Sequence, residues 1–106
     1  MNKFMRILVF FDLPVKSKKQ RKVANKFRKL LIKDGYTMLQ LSIYMRICNG
    51  PDSVEKFEKR IMSYLPNKGN VKLLVITEKQ YANMKLLVGD PPKNEEKISY
   101  EQLTLF

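Results

Sequence analysis

Asp12 closes an otherwise apolar stretch, Met5 to Asp12 (MRILVFFD), and Leu13-Pro14 follows at once. A carboxylate in that place has two possible uses. It can accept hydrogen bonds from the amides beyond the proline, as a turn residue does. It can also give oxygen to a hard divalent cation that neutralises charge and activates water. Both readings stand on the residues alone. The chain has no histidine, which removes the usual general base near neutral pH and every His-containing triad or zinc site. Catalysis would have to rest on carboxylates with a metal, or on Lys, Tyr or Arg. Ser17 has no base near it in sequence and fits a helix cap. Cys48, the single cysteine, can form no internal disulfide or metal cluster, and its strand setting suits a small apolar filler.

The other residues able to do chemistry are cations. The formal charge is +11, with eleven Lys/Arg against Asp12 and Asp34 in residues 1–34 alone. So lopsided a field favours a polyanion such as nucleic acid, with an anionic membrane surface as the rival. Lys18, Arg21, Lys22, Arg28 and Lys29 are the candidates for phosphate contacts, which give affinity without reading sequence. Arg46, on a strand face with Ser42 and Tyr44, is a further candidate for a phosphate, or else for an interface ion pair.

The elements that position these groups can be read from periodicity. Met5–Asp12 is predicted as a strand, with Leu8, Phe10 and Asp12 on one face. Ser17 with Gln20 forms a capping-box pattern opening a helix to Asp34, stopped by Gly35. Val23, Ala24, Phe27, Leu30 and Leu31 gather around Phe27, and the cations take the other side. Tyr36–Gln40 and Ser42–Cys48 read as two strands. In the second, Ile43, Met45 and Ile47 are the expected core face, and Ser42, Tyr44 and Arg46 the outer one. Asn49-Gly50-Pro51 marks a turn, and a second helix is expected over Asp52–Leu65 with Asp52 as its cap. Asn70–Thr77 is a fourth strand, Glu78–Tyr81 a link, and Lys85–Val88 an expected fifth strand. The order is β-α-β-β-α-β with an extra C-terminal strand, an α+β, ferredoxin-like pattern. Both helices would cover one sheet face, and a symmetric dimer is the simplest cover for the other, with Phe10 and Tyr44 on it.

In this order and spacing several pieces resemble the CRISPR-associated protein two family, most of all its members found beside a Cas9-type effector. They are Arg6-Ile-Leu-Val-Phe-Phe-Asp12-Leu-Pro14, the basic helix with Phe27-Arg28-Lys29, Gly35-Tyr36, Gln40-Leu-Ser42-Ile-Tyr44, Lys68-Gly69 and Thr77-Glu78-Lys79-Gln80-Tyr81. The resemblance spans about residues 4–90. It implies a homodimer in which the last strand of one protomer extends the sheet of the other. It implies a partner, the adaptation integrase (CRISPR-associated protein one), whose dimers the homodimer bridges while a prespacer duplex lies across the assembly. It also implies that two copies of Asp12 face each other across the dimer axis, where they could share one Mg²⁺ for an endonuclease activity. A toxin-like ribonuclease of the same fold is the remaining reading.

Asp90-Pro91-Pro92 divides the chain into a domain, 1–90, and a tail, 91–106. Leu103, Leu105 and Phe106 suit docking on a partner, with the integrase or the dimer itself expected. Gln102-Leu-Thr-Leu-Phe106 also resembles the short peptide that binds the bacterial sliding clamp. No apolar run is long enough to cross a membrane, and the N-terminus lacks a signal-like pattern, so the expected location is the cytoplasm.

Overall fold

The computed structural model describes residues 4–90. The elements are β1 (Phe4–Asp12), α1 (Lys18–Lys33), β2 (Thr37–Gln40), β3 (Ile43–Asn49), α2 (Pro51–Met62), β4 (Asn70–Thr77) and α3 (Glu78–Ala82). The strands form one sheet in the order β2-β3-β1-β4 with every neighbour antiparallel. This is the ferredoxin-like arrangement that the element order predicts.

The elements form for local reasons. Ser17 accepts from the Gln20 amide while the Gln20 side chain returns to the Ser17 amide, so α1 opens on a complete capping box. It ends where Gly35 takes φ 92°, a left-handed turn that a side chain would strain. The second helix starts differently from the sequence reading. Gly50 stands at its N-cap with no side-chain bond and Pro51 supplies the first turn, while Asp52 lies one residue inside and does not cap. Proline, lacking an N–H, suits a position whose donor has no helical partner.

The core lies between the sheet and the two long helices. Ile7, Val9 and Phe11 of β1, Tyr44 and Cys48 of β3, Ala24, Phe27 and Leu31 of α1, and Phe57 and Ile61 of α2 are buried together. The face of β3 is therefore the reverse of the one expected. Tyr44 is 2% exposed under the helices, whereas Ile47 on the open face is 50% exposed. Hydropathy alternation puts Ile43, Met45 and Ile47 inward, but antiparallel register decides otherwise. Val9 pairs with Tyr44 and Leu8 with Met45, so Tyr44 shares the Val9 face. The Tyr44 ring then packs 5.5 Å from that of Phe11.

The open face carries Leu8, Phe10 and Asp12 from β1, Ile43, Met45 and Ile47 from β3, and Leu74 and Ile76 from β4, as the register requires, although Leu8 and Met45 at its centre are themselves buried. Two further expectations change. The segment Glu78–Tyr81, read as a link, is a short helix opened by a second capping box between Thr77 and Gln80. The fifth strand at Lys85–Val88 is not formed within one protomer, where Leu87 and Val88 are 85% and 91% exposed. An apolar run gains strand structure only against a sheet edge, and this one meets none in its own chain. The tail, with Leu103, Leu105 and Phe106, lies outside the described residues.

Candidate nucleic-acid interface

The basic face of α1 follows from its inward stripe. Ala24, Phe27 and Leu31 are fixed in the core, so the residues between them must point away. Lys18, Lys22 and Lys29 are exposed, and none has an ion pair among the described residues. The helix has no acid in its first turn and only Lys33 as a charge in its last. Arg21 is also exposed, yet it donates to the carbonyls of Val15 and Lys16 at 3.1 and 3.2 Å and so braces the loop after β1. Arg28 leaves the outer face for the flank. It is half-buried, reaches the Leu41 carbonyl at 3.4 Å, and lies 5.5 Å from the Phe11 ring centre.

Arg46 is turned inward with Tyr44 rather than outward. Its guanidinium donates to the Asp34 carbonyl at 2.7 Å and lies 3.4 Å from the centre of the Phe57 ring. It also fills the space beside Gly35, where an added Cβ would stand 1.8 Å from Nη1. The glycine is thus needed twice, for its turn and for its missing side chain. Asp34 completes the cluster. Its buried carboxylate is ion-paired with Arg60 and accepts from the Tyr64 hydroxyl at 3.1 Å. An acid at a helix C-terminus opposes the helix dipole, and these partners offset it. Burial, then the nearby Asp34 charge, push the Tyr36 and Tyr64 phenols well above their ordinary value. Sequence reading ends the first helix at Asp34 and gives no sign of its pairing with Arg60, because the pairing joins elements distant in the chain.

Asp12 is exposed at the end of β1, opposite Asn70 on the open face. Its backbone is held from behind by the turn before β4. Gly69 has φ 95°, and a Cβ there would come within 2.6 Å of the Asp12 carbonyl oxygen. Gly69 therefore lets this turn pack directly against the end of β1. No group of three or more metal-ligating His, Cys, Asp or Glu side chains occurs among the described residues. One protomer thus supplies one carboxylate, too few for a metal centre of its own. Because Asp12 is exposed on a face without a partner layer, two copies could share one ion. Mg²⁺ tolerates so small a protein ligand set because it keeps several waters. A cleft of about 340 Å³ between the β1–α1 loop and the α2–β4 loop is lined by Leu13, Pro14, Ser17, Lys19, Gln20, Val23, Pro66, Asn67 and Lys68. It contains no carboxylate, and Ser17 there is committed to capping α1. No helix among the described residues is long and apolar enough to cross a membrane.

Known proteins carry the same pattern. The family model described as "CRISPR associated protein Cas2" matches residues 5–84. A protein of Acidovorax ebreus named CRISPR-associated endoribonuclease Cas2 is 51% identical over 96% of this chain and all of its own length. Another of that name from Campylobacter jejuni is 51% identical over 99% of this chain and 73% of its own. Among solved structures, Streptococcus pyogenes Cas2 superposes with a TM-score of 0.60 at 15% identity, over 78% of this chain and 99% of that one. At that identity it bears on the fold alone. The match through β1, the basic helix and β4, together with the 51% relatives, places this chain in the Cas2 family of CRISPR-associated proteins.

Proposed function

We propose that the protein works as a homodimer that holds duplex prespacer DNA and bridges integrase dimers during CRISPR spacer acquisition. The observation that carries this is the outward face of α1, where Lys18, Lys22 and Lys29 stand without acidic partners among the described residues. Phosphates are the natural counter-charges for such a row, and contacts of this kind accept any sequence. The dimer is supported by the open sheet face and by the uncovered Leu87 and Val88. The tail, through Leu103, Leu105 and Phe106, is the proposed dock for the integrase, and the cytoplasm is the proposed setting. Co-purification with the integrase, with and without a DNA duplex, tests the reading. Retention that depends on neither the duplex nor the α1 lysines would overturn it.

A second reading has its own support, since relatives 51% identical are named endoribonucleases. Two Asp12 carboxylates across the dimer would hold one Mg²⁺, which when bound would supply Lewis acidity and an activated water. The chain's own part would be to fix the Asp12 backbone through the close approach of Gly69 and to present the RNA or DNA backbone from α1. Asp12→Asn should abolish Mg²⁺-dependent cleavage of RNA or DNA, yet leave dimerisation and duplex capture near parental levels. Cleavage equal to the parent's would exclude this reading.

A further inference from the structure

We propose that Arg6 is a positioning residue for assembly. Through Glu78 and Tyr81 it fixes α3, and so sets the direction in which Met84–Val88 leaves the protomer toward a second copy of the chain. The inference rests on the homodimer reading above.

Arg6 rises from the open face, opposite Ile47 and Ile76. It is 9% exposed in a strand that is otherwise apolar up to Asp12. Burying a cation there costs free energy that an aliphatic side chain would not. What the guanidinium provides is geometry. Its Nε donates to Glu78 Oε1 at 2.6 Å and its Nη2 to Oε2 at 3.1 Å, a two-pronged pairing that lysine cannot make. The Tyr81 ring lies 3.8 Å from Cζ, and Nη1 points to the Met45 sulfur at 3.2 Å. One side chain thus grips the first and fourth residues of α3 while resting on β3.

The helix needs that grip. It has five residues, none of them buried, and a helix so short is unstable alone in water. The capping box between Thr77 and Gln80 starts it, but the box fixes only its first turn. Beyond it, Met84, Leu86, Leu87 and Val88 are all exposed. Four large apolar residues in so short a run form a patch that one protomer leaves in water. A second copy can cover the run only if it emerges at a fixed angle. The Arg6 pairing holds α3, and with it the start of the run, to the sheet.

Full-length Glu78→Gln and Tyr81→Ala, with the parent beside them, test this by sedimentation velocity over a dilution series and by hydrogen exchange. Each variant is expected to weaken the dimer at least about tenfold. Amides of 84–88 should lose protection while those of β1 and β4 keep it. Arg6→Lys, which retains charge and stem but not the fork, should behave like Glu78→Gln. A dimeric parent with unchanged dissociation constants in both variants would overturn the role of Arg6 and leave the homodimer reading standing. Equal loss of protection across β1 and β4 would also overturn it, since the contact would then serve only the sheet. A parent that stays monomeric throughout the series would overturn the homodimer reading and this inference with it.

Discussion

The two long helices lie side by side on one sheet face and bury similar stripes, yet their cations have opposite fates. Between Lys18 and Lys33, α1 carries eight Lys/Arg and no acid. Between Pro51 and Met62, α2 carries three of each sign. Around α2 the cations are answered inside the fold. Arg60 pairs with Asp34, Lys59 lies 3.3 Å from Glu55, and Arg46 fits between Phe57 and the Asp34 carbonyl. Along α1 the exposed lysines have no such answer among the described residues. A positive charge is therefore a candidate for binding here only where the fold leaves it unspent. That distinction is a matter of geometry, and residue type alone does not carry it.

The largest expected effect comes from removing a spent cation. Arg46→Met keeps an unbranched stem but deletes the donor to Asp34 and the charge over Phe57. A hydrogen bond from a charged group contributes about 1.5–3 kcal/mol and a cation–π contact about 0.5–2, so a loss of about 2–5 kcal/mol is expected in urea unfolding. The salt dependence of DNA binding should not change. A stable variant with a shallower salt slope would move Arg46 to the interface side of the comparison.

Removing unspent cations should do the reverse. Lys22→Glu with Lys29→Glu is expected to leave stability within about 0.5 kcal/mol, as surface substitutions generally do. Duplex affinity should fall, and the slope of log affinity against log salt should become shallower by about 1.8 if each lysine neutralises one phosphate. Filter binding or anisotropy over a salt series reads this directly. An unchanged slope with normal stability would place the DNA footprint away from α1.

The sequence made parts of this contrast legible and hid others. Both capping-box patterns, Ser17 with Gln20 and Thr77 with Gln80, were present as the same signal. Only the first was followed by an apolar stripe long enough to be read as a helix, so α3 passed for a link. Strand order followed from the alternation of elements. The face of β3 did not, since the alternation in Ile-Tyr-Met-Arg-Ile-Cys favours the Ile43 phase while Tyr44 and Cys48 can also be buried, and only its register with Val9 decides. Arg46 went to the wrong side for the same reason. Asp34, Arg60 and Tyr64 meet from three places in the chain, and no local pattern announces such a meeting. Asp12 is legible as a candidate because a charge at the end of an apolar strand stands out in any phase.

The smallest effect sharpens the comparison within the spent cluster. Tyr64 donates to Asp34, but the Tyr36 hydroxyl is buried without a partner among the described residues. Tyr64→Phe should therefore cost about 1.5–3 kcal/mol near pH 7, the usual worth of a hydrogen bond to a charged group. Tyr36→Phe should be neutral or stabilise by up to about 1 kcal/mol, because an unsatisfied polar atom leaves the core. Alkaline titration separates the two further. Both phenols are raised in the folded state, so the native protein keeps protons that the unfolded chain releases above about pH 10. Stability is then fully present below that pH and falls above it, by about 1.4 kcal/mol per pH unit for each tyrosine. Tyr36→Phe should make that slope shallower, with Tyr64, Tyr44 and Cys48, all raised by burial, carrying the remainder, read from urea midpoints between pH 9 and 11. A destabilising Tyr36→Phe at neutral pH would show that the hydroxyl is bridged, most simply by a water reaching Arg46 Nε, the other unpartnered buried donor of the cluster. Tyr36 would then belong with Tyr64 as part of what holds the spent cations in place.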